Sequence, residues 1–223
     1  MATRRSSINP AVRAPGARAA ATRTALVRAA LTEFSQRSFD VVSMDDIADA
    51  AGVAHGLAFH YFGSKRGLYL EVLREVPRQL EAVHAVNDAG PPGARIRAML
   101  TRHLHYMRRN PALARHLFRG GLGTDPEAWR IIDATRGAAT AWIARELGLD
   151  AAHPALALTL RALSGAVDEA TVHWLDHRRV ATLDGMVEAL VDLLAAALTA
   201  ASRLDTRVDA AAALRALRRR SVR

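Results

Sequence analysis

Between Ser43 and Lys65 the chain reads SMDDIADAAGVAHGLAFHYFGSK, and few folds accept such a stretch. Ser43 has the character of a helix N-cap. Asp45 and Asp46 follow in the first turn, where the helix dipole favours negative charge. Ile47, Ala48 and Ala51 make a short apolar stripe, and Gly52 supplies the left-handed residue that ends the helix. Val53 is an apolar plug at the turn. A second helix is expected from Ala54 to Tyr61, short and light in side-chain charge. Helix, tight turn and helix in this order are the layout of a helix-turn-helix, whose second helix enters a DNA major groove.

The same residues carry a family resemblance. Ile47-Ala48, Ala51-Gly52-Val53, Gly56, Tyr61-Phe62, Ser64-Lys65 and Leu68 stand at the spacing of the TetR family of one-component transcriptional regulators, and the preceding TALVRAALTEFSQRSFDVVSM resembles that family's first helix and following loop. Gly56-Leu57 with His60-Tyr61-Phe62-Gly63 is similar to the choline-responsive subgroup. The chain departs from the family where Ala54 and Leu57 replace Ser or Thr, and Phe59 replaces Tyr. The resemblance implies DNA contacts from Ser43, Ala54, His55 and Gly56, and from Phe59, His60, Tyr61 and Lys65. With the hydroxyls gone, weight shifts to His55, His60, Tyr61 and backbone amides. Lys65 lies in the first turn of the next helix, where an ammonium and free amides suit a phosphate. Phe62 is expected in the core.

Composition adds bounds. A chain of 223 residues, half of them hydrophobic, holds one or two domains with a sizeable core. The net charge of +9 fits a polyanionic partner, although Lys65 is the only lysine and many arginines sit in the tails. Cysteine is absent, which excludes disulfides and thiolate chemistry and suits a reducing cytoplasm. The N-terminal MATRRSSINPAVRAPGARAA lacks the apolar stretch of a secretory signal. The most apolar segment, Leu183 to Ala201, is interrupted by Asp184, Glu188 and Asp192, so no membrane span is expected.

The expected fold is all-α: an N-terminal three-helix helix-turn-helix domain, then a C-terminal antiparallel helical domain for ligand binding and dimerisation. Residues 1–18 read as a disordered basic arm, 19–66 as the DNA-binding domain, 67–203 as the effector and dimer domain, and 204–223 as an Ala- and Arg-rich tail with a loose extra helix. Leu26, Val27, Ala30, Leu31 and Phe34 share one face of the first helix. Pro77 interrupts the fourth, which predicts a kink near Leu73. Five more helices follow, near 93–109, 111–119, 126–147, 154–177 and 182–203, divided by Asn110-Pro111, Gly120-Gly121, Gly148 and His153-Pro154.

An effector pocket is expected among His103, Met107, Phe118, Trp142 and Trp174. Asp168 and Glu169 could meet a cationic ligand. The helix at 182–203 is apolar around most of its circumference, so one face is expected to need a partner. Leu163, Val167, Leu190 and Leu194 are the expected homodimer contacts. No catalytic residue, metal ligand or cofactor is assigned, since the sequence has no HExxH, GxSxG or P-loop, and His173 and His177 alone share a helix face at metal-like spacing. The function these features support is a cytoplasmic ligand-responsive transcriptional regulator. It would repress by binding a palindromic operator as a homodimer, and a small molecule would release it. Two other readings fit parts of the chain: an all-α enzyme or ligand carrier with a helix-turn-helix-like bend, and an effector-independent architectural DNA binder.

Overall fold

The computed structural model describes residues 15–37, 39–84, 89–119, 125–177 and 179–219. Among the described residues the chain forms ten α-helices and no strand. They are α1 (Pro15–Gln36), α2 (Met44–Ala51), α3 (His55–Phe62), α4 (Lys65–His84), α5 (Pro92–Arg109), α6 (Pro111–Arg119), α7 (Pro126–Glu146), α8 (Pro154–Asp176), α9 (Leu183–Leu204) and α10 (Ala210–Arg218). Proline opens α5, α7 and α8, where its missing N–H costs nothing. The first helix starts at Pro15, so residues 15–18 are helical rather than part of the expected arm; residues 1–14 lie outside the described residues.

The first four helices make a head. Helix α1 packs on α2 and α4, and Leu26, Ala30, Phe34, Ile47 and Leu68 are buried between them. The rings of Phe34, Phe39 and Tyr69 close this core, with Phe34 edge-on to Tyr69 at 5.2 Å and Phe39 5.0 Å from Tyr69. Helix α4 then runs through Pro77 as one helix into the body, so Pro77 does not begin a separate segment. The Leu73 carbonyl, four residues back, has no N–H from residue 77 to accept.

The body is built on the α8–α9 hairpin, with α5 and α10 against α9. By length and composition Leu183–Leu204 could cross a membrane, but its Met186, Val187, Leu190, Leu194 and Leu198 are buried in the core. The tail is not loose. Asp209 caps α10, and Val208, Ala210, Ala213 and Leu217 are buried. Arg97 ties three helices together, pairing with Glu188 of α9 at 2.8 Å and donating to the Leu217 carbonyl of α10 at 2.8 Å.

This docking corrects the expected dimer contacts. Leu163, Leu190 and Leu194 are buried inside the protomer and Val167 lies half-buried on its inner side, so they offer little surface to a second copy. The apolar face of α9 that seemed to need another chain is covered by α10. What α8 turns outward instead is Leu158, Ala162, Gly165 and Ala166, and α9 turns out Ala189, Leu193 and Ala196.

Helices α7 and α8 are joined by an ion pair in which Arg136 Nε and Nη2 reach Asp168 Oδ2 at 2.8 and 2.6 Å. Burial pushes the Asp168 carboxyl up to about 6, and Arg136 only partly offsets it. In the unfolded chain the carboxyl titrates near 3.8. Between those values the folded state holds the extra proton, so stability falls as pH rises through the window and the penalty persists above it.

Two outcomes are expected. A Cβ on Gly93 would lie 2.2 Å from the Leu217 carbonyl oxygen, whereas one on Gly137 meets open space. In urea unfolding, Gly93→Ala is expected to cost roughly 1–3 kcal/mol by forcing α10 off α5, and Gly137→Ala to gain about 0.5–1 kcal/mol; equal effects would contradict the α5–α10 contact. The stability of the wild type relative to Asp168→Asn is expected to fall by about 3 kcal/mol between pH 3.5 and 6.5. A difference flat in pH would mean an ordinary carboxyl at Asp168.

Candidate functional site: a DNA-reading helix and an apolar cavity

The helix-turn-helix is fixed by local bonds. Ser43 Oγ accepts the Asp46 N–H at 3.0 Å and the Ser43 N–H donates to Asp46 Oδ2 at 2.9 Å, a reciprocal capping box. These bonds with Ser43, helped by Arg37, hold the Asp46 carboxyl below its ordinary value. Gly52 sits at φ 66°, and the Val53 N–H reaches the Ala48 carbonyl at 3.0 Å. Ala58 is buried, while Leu57, Tyr61 and Phe62 are half-buried on the inner side of α3. The opposite side presents Ala54, His55, Gly56, Phe59 and His60 together, with the Phe59 ring 51% exposed. A Cβ on Gly67 would lie 2.3 Å from the Phe62 carbonyl oxygen, so glycine there permits the tight α3–α4 corner.

Three of the expected DNA contacts have work inside the head. Ser43 Oγ accepts the Asp46 N–H in the cap. His55 bridges to α2, with Nε2 2.9 Å from Asp49 and Nδ1 3.1 Å from Asp45. Lys65 turns back to the α1–α2 loop. Its ammonium donates to the Phe39 carbonyl at 2.8 Å and the Asp40 carbonyl at 3.2 Å, and stands 4.6 Å from the Phe39 ring centroid. Two of its three N–H groups therefore hold the loop on which Ser43 depends. Sequence position alone could not show this, because the bond spans 26 residues.

Helices α4 to α8 line a cavity of about 360 Å³ that opens to the surface. Of the residues expected there, His103, Met107, Phe118 and Trp142 line it. Trp174 does not: it is buried elsewhere, and its Nε1–H donates to the Ala181 carbonyl at 2.8 Å, fastening the α8–α9 turn. The walls are otherwise mostly apolar, from Leu100, Ile132, Ile143, Leu163 and Val167. Helix α4 contributes Val76, Pro77 and Leu80. Arg136 and Asp168 bring their ion pair to the wall. Arg136 gives no sequence signal as a lining residue, because it follows the short residues of a weakly patterned helix and meets its partner 32 positions later.

A second set of bonds joins cavity and head. Asp125 caps α7, accepting the Glu127 N–H at 2.9 Å. The same carboxylate takes Arg66 of α4 through two bonds of 2.7 and 3.0 Å, and Arg66 holds it below its ordinary value. Glu127 accepts Arg74 at 2.6 Å, and Arg74 also meets Glu71, which pairs with Arg23 of α1. Helix α7 thus lines the cavity along its length and grips α4 by its first turn.

Comparison with known proteins agrees with this geometry. Residues 26–72 match the model for bacterial regulatory proteins of the tetR family, and residues 92–218 match the tetracyclin repressor-like C-terminal domain. The HTH-type transcriptional activator FasR of Mycolicibacterium smegmatis is 30% identical over 164 residues, covering 71% of this chain and 74% of that one. A tetR-family transcriptional regulator from Streptomyces coelicolor superposes with a TM-score of 0.75 at 29% identity, covering 88% of both chains. The Bacillus subtilis regulator FadR, solved in complex with stearoyl-CoA, has the same fold at a TM-score of 0.62 and 16% identity, covering 77% of this chain and 96% of that one. With a helix-turn-helix head at residues 26–72 and a matching C-terminal domain across 92–218, the chain belongs to the TetR family of transcriptional regulators.

Proposed function

We propose that this protein is a cytoplasmic homodimeric regulator that binds a palindromic operator through α3 and releases it when a long-chain acyl compound enters the α4–α8 cavity. The observation that carries this reading is the shared wall: Val76, Pro77 and Leu80 of the cavity stand on the helix whose first turn ends the helix-turn-helix. A ligand that fills the cavity presses on the element that aims α3. Its size falls within the ~300–1,000 Å³ common for small-molecule sites, and its apolar walls suit an alkyl chain. Stearoyl-CoA in the Bacillus subtilis neighbour supports the same ligand class.

On the DNA side, Ala54 and Phe59 offer apolar surface suited to thymine methyl groups, and His60 offers a ring nitrogen to a base edge or phosphate. His55 reaches DNA only by leaving Asp45 or Asp49. Lys65 orders the α1–α2 loop rather than acting chiefly as a phosphate contact. FasR is named an activator, so the sign of regulation need not be repression. One release switch serves either outcome, depending on where the operator lies relative to the promoter.

The proposed dimer uses the outward faces of α8 and α9. Leu158, Ala162, Gly165 and Ala166 fall on one stripe of α8, and Ala189, Leu193 and Ala196 on one stripe of α9. Small residues there let two hairpins approach closely, and Leu158 and Leu193 are exposed apolar groups that a second copy would cover.

The test is fluorescence anisotropy of DNA from upstream of the protein's own coding sequence. Micromolar stearoyl-CoA is expected to weaken the complex at least tenfold, and Phe59→Ala to weaken operator binding by about 1–3 kcal/mol while leaving random-sequence binding unchanged. Unchanged operator affinity with stearoyl-CoA and with stearate would sink the ligand reading. In sedimentation, Ala162→Glu is expected to yield folded monomers that lose the operator, and a dimer that survives the substitution places the interface elsewhere.

A further inference from the structure

The Arg136–Asp168 pair is an odd feature for the wall of an apolar cavity. The two side chains are only 19% and 14% exposed, and such a pair repays its desolvation poorly. Apolar residues of similar volume would hold α7 to α8 at least as well. The hydroxyls nearby do not explain it, since Thr140 bonds the carbonyl of Arg136 and Ser164 that of Leu160, each within its own helix. Both guanidinium bonds converge on one carboxylate oxygen, Oδ2, rather than forming the parallel two-oxygen fork. A surface groove between α7 and α8 adjoins the cavity, and Arg136, Thr140 and Ser164 line both. Arg136 therefore stands between the cavity and a surface groove of α7 and α8, and Arg161 lines that groove.

We propose that Arg136 is the recognition site for an anionic group at one end of the ligand, a carboxylate or a phosphate, and that Asp168 occupies it as an internal stand-in until the ligand arrives. The inference rests on the reading of the cavity as an acyl-ligand site and names the ligand's charge. The sign follows from an asymmetry between the partners. An anion that takes Arg136 leaves behind a carboxyl that burial already drives towards its neutral form, and a neutral acid is tolerated in an apolar wall. A cation that takes Asp168 instead leaves behind a guanidinium that cannot give up its proton, stranded at low dielectric. The exchange is favourable only in the first direction.

Calorimetric titration of the full-length protein with a head-group series on one chain length tests this: laurate, lauroyl-CoA, dodecanol and dodecylamine. Laurate or lauroyl-CoA is expected to bind at least tenfold more tightly than dodecanol, and dodecylamine more weakly still. Laurate ahead of lauroyl-CoA would identify a free carboxylate, and the reverse order the phosphates of a thioester; either supports the proposal. Arg136→Met is expected to lower anion affinity tenfold or more and leave dodecanol within about twofold. Asp168→Asn, which removes the competitor but keeps the shape, is expected to raise anion affinity at least threefold. A merely structural pair would lose affinity in both variants. Should Arg136→Met not fold, Asp168→Asn and the wild-type series decide the matter. Equal binding of laurate and dodecanol, tightest binding of dodecylamine, or weaker laurate binding by Asp168→Asn overturns this inference alone. If no member of the series binds, the reading of the cavity as a ligand site falls with it.

Discussion

A single helix is built into two cores, and the rest of the molecule depends on that continuity. Leu68, Tyr69 and Leu73 of α4 are buried, the first two under the head. One to two turns later Val76, Pro77 and Leu80 face the cavity. Lys65 and Pro77 are twelve residues apart, about 18 Å along the axis. A packed helix of that length cannot absorb a displacement by bending gently over its whole span, because buried side chains at both ends are held at close-packed density. A change in the cavity wall is therefore met at the head or at a weak point within the helix. Pro77 is such a point, since the Leu73 carbonyl lacks its i+4 donor there.

The ion pairs at the α4–α7 corner make the coupling two-sided. Arg66 binds the residue that caps α7, and Arg74 binds the next acid along, so a shift at the start of α7 disturbs its pairs with α4. Exposed arginine–carboxylate pairs contribute little stability one at a time. Several that share partners between two helices act chiefly on relative position. A ligand in the proposed cavity site would touch α7 through Trp142 and Arg136, and α4 through Pro77. It would thus bias both members of the same joint. An effector can shift the population of head orientations only by binding one arrangement better than another, and a cavity walled by both sides of the joint provides that difference.

The head was legible in the sequence because its constraints are local. A capping box spans three residues, the Gly52 turn spans one, and the apolar stripe of α1 repeats within two turns. The limits of the body helices were legible for the same reason, since proline openings mark them. What the sequence did not disclose depends on which helix lies against which. Periodicity showed that α9 is apolar on several sides but not that α10 covers one of them, and so Leu190 and Leu194 looked like contacts for a second chain. Trp174 looked like a pocket residue because an aromatic ring in a body helix is equally at home in a core. The loop-holding bonds of Lys65 were hidden because nothing in the local sequence says that Phe39 and Asp40 will bring their carbonyls within 3.2 Å.

The charge distribution of the head bears on how the proposed DNA reading would work. Helix α3 carries no arginine or lysine, and Asp45 and Asp49 lie beside its first residue. The nearest cations following it are engaged within the protein, Lys65 by loop carbonyls and Arg66 by Asp125 and Glu127. Among the described residues, α3 itself therefore carries none of the Arg and Lys side chains behind the net charge of +9. Binding driven by phosphate neutralisation is strong on any sequence and steep in salt. A face of Ala54, Phe59 and His60 backed by carboxylates gains little from an arbitrary stretch of backbone and must draw on the shape and methyl groups of a matched groove. Such a head suits a regulator whose affinity is to be switched off by a modest change of orientation. Contacts that depend on fit are lost within an ångström or two, whereas long-range attraction to phosphate would survive the same movement.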